Sequence, residues 1–373
     1  MKRVMAVFGT RPEAIKMAPV VLALKANGAF DVKVCITGQH RGMLDQVLAI
    51  FGIIPDFDLN VMTPEQDLTD ITSGVLAGMR DVFRAWRPEW TLVHGDTTTT
   101  LSASLASFYN HIPVAHIEAG LRTHNKYSPW PEEINRHITG VLTTLHFAPT
   151  AAARQNLIDE GIAPAQIEVT GNTVIDALLG AIEKMKSNPP LTEQYKKRFS
   201  FLDASKKLVL VTGHRRENFG GGFQRICAAL ARLSERGDVE ILYPVHLNPN
   251  VRQPVNELLG GRKNIHLTEP LDYLLFIYLM ERSHLIITDS GGVQEEAPSL
   301  GKPVLVTRDT TERPEAVDAG TVRLVGTDTD RIFRDASILI EDQAEYEKMA
   351  HLHNPYGDGL ASNRITKRLL LET

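Results

Sequence analysis

Short apolar runs alternate with longer stretches of helical periodicity along the whole chain, and turns of glycine and polar residues follow the apolar runs. The run at residues 4–8 leads into Gly9-Thr10-Arg11-Pro12, and the run at residues 285–287 leads into Thr288-Asp289-Ser290-Gly291-Gly292. Short, continuous apolar runs are typical of parallel strands that are buried on both faces. The alternation runs through two successive blocks, so it predicts an α/β protein with two consecutive doubly wound sheets.

Two domains follow from this pattern. The polar run Ser187–Pro190 predicts a connector, so we expect the first domain to end near residues 170–190. We take residues 1–170 as the N-terminal Rossmann-like domain and residues 171–355 as the C-terminal one, with a hinge near residue 171. The tail from about Glu341 is predicted to be helical, and its last helix, about residues 356–373, is expected to return to the first domain.

Composition narrows the class of protein. The 373 residues include 40 basic and 45 acidic side chains, a net charge of −5. This balance predicts neither a nucleic-acid surface nor a membrane surface, and no apolar run is long enough to cross a bilayer. Two distant cysteines, Cys35 and Cys227, argue against a disulfide framework. We therefore expect a soluble, cytoplasmic protein with local anion sites.

The stretch after residues 285–287 predicts a nucleotide site in the second domain. Ser290 is expected to cap the next helix, while Gly291 and Gly292 let a ligand approach the backbone closely. Glu295 and Glu296 are expected in the first helical turn, where a carboxylate can accept hydrogen bonds from ribose hydroxyls. The stretch favours a diphosphate that carries a ribose. The alternative is a strand-to-helix turn with a structural role alone.

Charged side chains follow several strands of the first domain. Arg11 lies at the end of the first strand with Lys16 close by on the next helix, although both are also typical surface cations. Asp96 and Glu118 end two successive βα units, which favours chemistry because like charges held together are costly unless they are used or paired. Asp96 alone could be a helix cap. Glu132, after a loop stiffened by prolines, is a third candidate carboxylate.

The second domain offers cationic and aromatic candidates. His214 and Arg215 follow the strand at residues 208–211, where a diphosphate needs donors. Phe276 belongs either to the core or to a surface that flanks a base. Arg313 is expected to pair with phosphate or with Glu296.

Six ordered blocks, spread over nearly the whole chain, resemble the bacterial non-hydrolysing UDP-N-acetylglucosamine 2-epimerases. They are Phe8-Gly9-Thr10-Arg11-Pro12-Glu13-Ala14-Ile15-Lys16, His94-Gly95-Asp96-Thr97-Thr98-Thr99, His116-Ile117-Glu118-Ala119-Gly120-Leu121-Arg122, Pro131-Glu132-Glu133-Ile134-Asn135-Arg136, Thr212-Gly213-His214-Arg215-Arg216-Glu217 and Thr288-Asp289-Ser290-Gly291-Gly292. The resemblance implies two Rossmann-like domains facing a cleft, the glycosyltransferase-B type of fold. It also implies a homodimer that uses no cofactor and no metal.

The resemblance also implies roles for individual residues. The catalytic candidates are Asp96, Glu118, Glu132 and His214. Those around the substrate are Arg11, Lys16, Asp96, Glu118, His214, Leu271, Phe276, Ser290, Gly291, Gly292, Glu296 and Arg313. Leu271 stands where the family leads us to expect glutamine, so only a backbone contact to the uracil is expected there. Activation by the substrate at a neighbouring site is implied as well, with Gln39, Glu132, Arg215 and His246 as candidates.

The implied reaction is the interconversion of UDP-N-acetylglucosamine (UDP-GlcNAc) and UDP-N-acetylmannosamine (UDP-ManNAc). UDP leaves C1 by anti elimination, a 2-acetamidoglucal forms, and UDP adds back after reprotonation from the other face. The product is expected to supply surface polysaccharide synthesis. The alternatives are a hydrolysing relative, a glycosyltransferase on the same fold and a non-enzymatic sensor of nucleotide sugars.

Overall fold

The computed structural model describes residues 1–38, 41–63 and 65–372. The chain forms two compact units. Unit 1 comprises Met1–Ala177 and Tyr356–Thr373, and unit 2 comprises Leu178–Pro355. Within the described residues, no helix combines the length and the apolar character that a membrane span requires.

Unit 1 alternates strands and helices. Its strands are β1 (Lys2–Phe8), β2 (Phe30–Ile36), β3 (Phe57–Asp58), β4 (Trp90–His94), β5 (Val114–Ile117), β6 (Leu145–Ala148) and β7 (Ile167–Val169). Its helices are α1 (Arg11–Ala26), α2 (Arg41–Phe51), α3 (Leu68–Ala85), α4 (Thr98–Tyr109), α5 (Glu132–Leu142), α6 (Ala151–Asp159), the start of α7 (Thr173–Lys186), and, at the end of the chain, α16 (Ala361–Leu371).

The strands of unit 1 form one parallel sheet in the order β3-β2-β1-β4-β5-β6-β7. Val4, Ala6 and Phe8 of β1 enter the core on one face, and Met5 and Val7 enter the core on the other. Because both faces are covered, β1 has to be apolar at every one of these positions. The order reverses between β1 and β4, which makes their carboxyl ends the topological switch point of the sheet.

Unit 2 repeats the alternation. Its strands are β8 (Lys207–Thr212), β9 (Val239–Pro244), β10 (Ile265–Thr268), β11 (Leu285–Thr288), β12 (Val304–Val306) and β13 (Val322–Leu324). Its helices after α7 are α8 (Pro189–Arg198), α9 (Gly221–Ser234), α10 (Pro249–Leu259), α11 (Tyr273–Arg282), α12 (Gly291–Glu296), α13 (Pro314–Asp318), α14 (Thr329–Glu341) and α15 (Gln343–Ala350).

The sheet of unit 2 is also parallel, in the order β10-β9-β8-β11-β12-β13. Val209 and Val211 of β8 share a buried cluster with Ile287 of β11 and Leu305 of β12. The order reverses between β8 and β11, so the switch point of unit 2 lies at Thr212 and Thr288, which pair in register.

The C-terminal tail, predicted to be helical from about Glu341, has an irregular segment before its last helix. Residues 351–360 are irregular between α15 and α16, and both Gly357 and Gly359 have positive φ angles, 127° and 79°. Glycine adopts this backbone conformation without steric cost, so it interrupts the helix here. After the break, Ile365 and Leu369 of α16 join the core of unit 1.

Candidate active site

The candidate residues of unit 1 lie at the carboxyl ends of β1, β4 and β5, or on the helices that follow. These ends share one edge of a parallel sheet, the edge where ligands bind in open α/β folds. His94 is the last residue of β4, Asp96 follows it by two residues, and Glu118 comes directly after β5. The edge therefore brings together side chains that lie far apart in sequence.

Asp96 is held by α5. Arg136 Nη2 lies 2.6 Å from Asp96 Oδ2, and the Asn135 side-chain amide donates to the Asp96 carbonyl at 2.9 Å. Asp96 is not the helix cap that its position allowed, because Thr97 is the N-cap residue of α4 and its hydroxyl accepts from the Thr100 N–H. Helix capping therefore does not explain the position of Asp96.

Glu118 has a backbone conformation that is unusual for a residue with a side chain, with a φ of 63°. Its Oε2 accepts a hydrogen bond from Lys16 Nζ, and Asn172 Nδ2 donates to the same oxygen at 2.7 Å. The His94 Nε2 lies 3.8 Å from Oε2. Strained backbone of this kind clusters at functional sites, which supports the prediction that Glu118 acts in one.

Two adjacent glutamates begin α5, and they differ in their surroundings. Glu133 is buried and accepts hydrogen bonds from the backbone N–H groups of Thr123 and His124. Burial by itself raises the pKa of Glu133, but these two N–H groups and Arg136 outweigh it and lower the pKa. Glu132 Oε2 is also buried, yet it has no hydrogen-bond partner among the residues that the structure describes. Only Glu132 of the pair has unused hydrogen-bonding capacity.

Arg11 is the first residue of α1, and the guanidinium forms no ion pair within the described part of the chain. The turn that carries Arg11 is held by Glu13, a residue that the sequence analysis did not single out. Glu13 Oε2 accepts from the Gly9 and Thr10 N–H groups at 3.0 and 2.7 Å, and Oε1 accepts from the Thr97 hydroxyl at 2.7 Å. Glu13 thereby joins the turn after β1 to the turn after β4.

Burial raises the pKa of Glu13, whereas its hydrogen bonds to Thr97, Gly9 and Thr10 lower it, and the effect of burial is larger. The capping-box spacing Thr10-x-x-Glu13 was a signal for this role, since such a glutamate hydrogen-bonds back to the N-cap backbone. Arg136 and Asn172 were also missed. Their partners are decided by the fold and not by spacing.

In unit 2, Asp289 organises the switch point. Its side chain is fully buried, and its carboxylate accepts from the backbone N–H groups of His214 and Arg215, each at 2.9 Å, and from Asn218 at 3.4 Å. Asp289 lies within the stretch predicted to bind a nucleotide, although no role was predicted for its own side chain. It joins the turn after β11 to the turn after β8, as Glu13 joins two turns in unit 1.

His214 stands at this turn with 44% of its side chain exposed, and its Nδ1 lies 3.5 Å from Asp289 Oδ1. Its ring stacks on the exposed ring of His246, with the centroids 5.5 Å apart. Burial lowers the pKa of His214, although the Asp289 carboxylate opposes that effect. Near neutral pH the free protein therefore presents a neutral imidazole here.

Two predictions about the start of α12 are wrong. Ser290 is the N-cap residue, but its side chain makes no capping hydrogen bond; its own N–H donates to the Thr288 hydroxyl at 2.9 Å. Glu295 and Glu296 are not in the first turn, because the helix begins at Gly291. Both glutamates are buried, and the Tyr273 hydroxyl donates to Glu296 Oε1 at 3.0 Å.

Two guanidinium groups border Gly291. A Cβ atom at Gly291 would lie 3.6 Å from Arg313 Cζ and 3.9 Å from Arg215 Nη2, whereas a Cβ at Gly292 would meet open space. Arg313 Nε lies 2.5 Å from Glu295 Oε1, and Arg215 Nη1 lies 4.0 Å from Glu312 Oε1. This part of unit 2 combines two cations with closely approachable backbone.

The remaining candidates occupy different surroundings. Leu271 is 9% exposed and follows β10, and Phe276 is half-buried on α11. His246 follows β9, and its Nδ1 accepts from the Asn248 N–H at 3.1 Å. Gln39, a candidate for the activating site, lies outside the described residues.

Comparison with known proteins gives consistent matches over nearly the whole chain. The family model described as UDP-N-acetylglucosamine 2-epimerase matches residues 22–370. A probable UDP-N-acetylglucosamine 2-epimerase of Ralstonia nicotianae is 59% identical over 370 residues, 99% of either chain. The UDP-N-acetylglucosamine 2-epimerase of Escherichia coli K12 is 58% identical over 368 residues, 98% of either chain.

A solved structure agrees with these matches. The crystal structure of UDP-GlcNAc 2-epimerase from Neisseria meningitidis bound to UDP-GlcNAc has 54% sequence identity and a TM-score of 0.92, covering 99% of this chain and 100% of that one. The predicted α/β fold with two Rossmann-like domains of the glycosyltransferase-B type is confirmed, and so is the predicted enzyme class. The chain belongs to the UDP-N-acetylglucosamine 2-epimerase family, as an enzyme of its bacterial, non-hydrolysing type.

Proposed function

We propose that the enzyme interconverts UDP-GlcNAc and UDP-ManNAc by anti elimination of UDP, through a 2-acetamidoglucal, and re-addition of UDP. The observation that carries this proposal is the pair of carboxylates, Asp96 and Glu118, each paired with a cation at the carboxyl ends of neighbouring strands. The Neisseria relative crystallised with UDP-GlcNAc supports the choice of substrate.

The first step of the proposed route is loss of the C2 proton. No carbonyl is directly attached to C2, so the proton becomes acidic only as the bond from C1 to the UDP oxygen breaks. The electron pair of the C–H bond then forms the C1=C2 bond, and UDP leaves with the electron pair of the C–O bond. A positioned carboxylate that takes the proton contributes roughly 10²–10⁴-fold to the rate.

Inversion requires that a proton returns to the opposite face of C2, so two proton carriers are needed. Asp96, Glu118 and Glu132 are the candidates for these two proton carriers. Asp96 and Glu118 each accept a hydrogen bond from a cation, and Glu132 has a buried oxygen without a partner among the described residues. We assign the two transfers to this group of three without dividing them further.

We assign the nucleotide to unit 2. Arg313 and His214 supply donors for a diphosphate that gains charge as it leaves, and each well-placed donor contributes a few kcal/mol in such a role. Gly291 and Gly292 permit close approach to the backbone, Glu296 is assigned to the ribose, and Phe276 is assigned to the uracil. Leu271 cannot donate or accept through its side chain, so its proposed contact to the uracil is through the backbone.

The cations Arg11 and Lys16 complete the proposed site. Arg11 has no ion pair among the described residues, which suits it to a phosphate oxygen. The route moves protons and breaks and forms C–O bonds with no net change of oxidation state. It is therefore proposed to run without a cofactor or a metal.

We further propose that the enzyme is a homodimer formed through α5. Ile134, Ile138 and Val141 lie on one side of this helix and are exposed, Val141 by 82%. An exposed apolar stripe is typical of a protein interface, and a second copy would cover it. Light scattering should give twice the mass of the chain for the wild type and a single mass for Ile138→Glu.

The proposal includes activation by UDP-GlcNAc at a second site that contains Gln39, Glu132, Arg215 and His246. It also includes a cytoplasmic role in supplying UDP-ManNAc for surface polysaccharide synthesis. Activation would appear as a sigmoidal dependence of the initial rate on UDP-GlcNAc, and His246→Ala should make that dependence hyperbolic.

Proton NMR of the purified protein with UDP-GlcNAc in deuterated water tests the main proposal. The expected result is UDP-ManNAc that carries deuterium at C2, without free sugar. Release of free N-acetylmannosamine and UDP would replace the proposal by a hydrolysing reaction. Demonstrated binding with an unchanged spectrum would replace it by a transferase that lacks its acceptor, or by a sensor.

A further inference from the structure

His94, the last residue of β4, is a buried histidine with unused hydrogen-bonding capacity. Its side chain is 4% exposed, and neither Nδ1 nor Nε2 has a hydrogen-bond partner among the described residues. Most buried polar side-chain atoms in proteins have a partner, and those that do not call for an explanation. The position of His94 beside Glu118 suggests what completes its hydrogen bonding.

Among the described residues, Lys16, Asn172 and His94 are neighbours of Glu118 Oε2. Lys16 of α1 and Asn172, before α7, both donate to this oxygen, and His94 Nε2 lies 3.8 Å from it. An ammonium group has no acceptor, and the Asn172 amide presents its N–H side. Of these three neighbours, only His94 can accept a hydrogen bond from Glu118 when the carboxyl is protonated.

The charge state of His94 agrees with this role. Burial lowers its pKa to about 4; the Glu118 carboxylate opposes this effect and Lys16 adds to it. Another titratable neighbour is His116 of β5, which is also buried, and burial lowers its pKa to about 3. His94 is therefore neutral near pH 7, and a neutral imidazole has one nitrogen that accepts.

We propose that His94 is a positioning residue that accepts a hydrogen bond from the protonated carboxyl group of Glu118 whenever Glu118 carries the substrate proton. This inference rests on the proposed function. The proton moves from C2 to Glu118, and the electron pair of the C–H bond enters the C1=C2 bond as UDP leaves. His94 remains neutral throughout, so it steadies the protonated carboxyl group without taking the proton.

The test compares two substitutions at one position. His94→Leu keeps the volume and removes both nitrogens, whereas His94→Gln keeps an acceptor near the position of Nε2. For His94→Leu we expect kcat to fall about tenfold with KM unchanged, since one hydrogen bond to the protonated form is lost. His94→Gln should restore most of kcat.

The pH dependence of kcat provides a readout that general damage to the fold does not move. Without the acceptor, the protonated form of Glu118 loses a stabilising hydrogen bond, so Glu118 gives up its proton more readily. The acid limb of the kcat profile should therefore shift to lower pH in His94→Leu, by up to about one pH unit. An unshifted acid limb in His94→Leu would overturn the proposal, as would a loss of kcat that His94→Gln does not restore.

His146→Leu is the matched control. His146 lies on β6, is fully buried, has no partner for either nitrogen among the described residues, and has a pKa that burial lowers to about 4. Arg122 and Glu160 are the charged groups that act on it, rather than Glu118. A shift of the acid limb as large as that of His94→Leu would assign the effect to buried histidines in general and overturn the proposal.

A measurement on the otherwise intact chain covers the case in which His94→Leu does not fold. Glu118→Gln replaces the carboxyl by an amide that donates a hydrogen bond permanently. The measurement uses protein with ¹⁵N-labelled histidine. In Glu118→Gln, the ¹⁵N chemical shift of the accepting nitrogen of His94 should change from its wild-type value to that of a hydrogen-bonded nitrogen. An unchanged chemical shift would contradict the proposal. The NMR measurement detects the contact between residues 94 and 118 without turnover. A failure of this inference can therefore be distinguished from a failure of the proposed function, which would appear as an absence of C2 deuterium exchange in the wild type.

Discussion

The two switch points are built alike but hold their acidic residues in different places. In unit 1, Asp96 and Glu118 lie at the rim of the sheet and are paired with the cations Arg136 and Lys16. In unit 2, the acids Asp289 and Glu295 are buried, and the cations and N–H groups that they hold lie at the rim instead. One fold thus places carboxylates at the strand ends of one unit and cations and N–H groups at those of the other.

A shared device underlies this difference. A buried carboxylate joins the turns on both sides of each switch point: Glu13 contacts Gly9 and Thr97, and Asp289 contacts His214 and Arg215. Such a group costs free energy to bury unless its hydrogen bonds are satisfied, so it fixes the geometry of the backbone that satisfies it. The side chain that lies at each switch point then depends on the residue type in these turns. It is the acid Asp96 in unit 1 and the imidazole of His214 in unit 2.

The largest expected effect is the loss of turnover when an acid of unit 1 is replaced. Glu118→Gln and Asp96→Asn should each lower kcat by roughly 10²–10⁴-fold, because they remove a proton carrier and change no group that we assign to the nucleotide. Turnover is measured by NMR and UDP affinity by calorimetry. We expect UDP affinity to stay within about twofold of the wild type.

Wild-type turnover in both variants would remove the proton-transfer role of these acids. A loss of UDP affinity as large as the loss of kcat would instead assign the acids to binding. Either result would end the division of labour between the units that the comparison suggests.

The complementary change is Asp289→Asn in unit 2. Asparagine can keep one oxygen at the position of Oδ2, which accepts from both the His214 and the Arg215 N–H groups, but its NH₂ group then replaces Oδ1, which accepts from the His214 N–H at 3.2 Å. We expect the loss of this acceptor and of the negative charge to cost about 1–3 kcal/mol. We expect weaker binding of UDP by about tenfold or more. The rate of C2 deuterium exchange at saturating substrate should stay near that of the wild type.

Calorimetric titration with UDP and exchange rates at saturation check this prediction, with the melting temperature as a control for folding. An unchanged UDP affinity together with a lower exchange rate would place Asp289 with the unit 1 acids in function. That outcome would contradict the proposed difference in function between the two units.

Acid pH should destabilise unit 1 through its buried histidines. Burial lowers the pKa of His146 to about 4, so between pH 6.5 and about 4 the unfolded chain binds a proton that the folded chain does not. The contribution of neutral His146 to the free energy of unfolding is fully present above pH 6.5. It decreases by about 1.4 kcal/mol for each pH unit as the pH falls below that value. Urea unfolding at several pH values measures it.

The difference between the wild type and His146→Leu isolates one histidine from the carboxylates, which also respond to acid. Below pH 6.5 the unfolding free energy of the variant should fall less steeply with falling pH than that of the wild type. Parallel slopes would show that His146 takes up its proton equally in both states.

The smallest expected effect concerns the two N-cap positions. Thr97→Ala should cost at least about 1 kcal/mol of unfolding free energy, because its hydroxyl accepts from the Thr100 N–H and also donates to Glu13 Oε1. Ser290→Ala should cost less than about 0.5 kcal/mol, since the Ser290 side chain makes no capping bond. Chemical denaturation of both variants tests this, and an equal cost at the two positions would contradict it.

Local sequence patterns predicted much of the candidate site. Turns after apolar runs correctly indicated strand ends, so Arg11, Asp96, Glu118, His214 and Ser290 were expected near the edges where the structure has them. Cap and helix-turn details were less accurate. Ser290 makes no side-chain capping bond and Glu295 is not in a first turn, because the first hydrogen bonds of a helix depend on backbone geometry that neighbouring turns adjust.

The sequence by itself determined the α/β alternation, the order of the blocks and the residue types available at each strand end, since these depend on spacing and polarity along the chain. Tertiary structure decided the partners: Arg136 for Asp96, Asn172 and Lys16 for Glu118, and Asp289 for the His214 turn. These pairs are separated by 40 or more residues, and only the parallel sheet brings the carboxyl ends of distant strands to one edge. How deeply an acid is buried at the end of its strand follows from that packing.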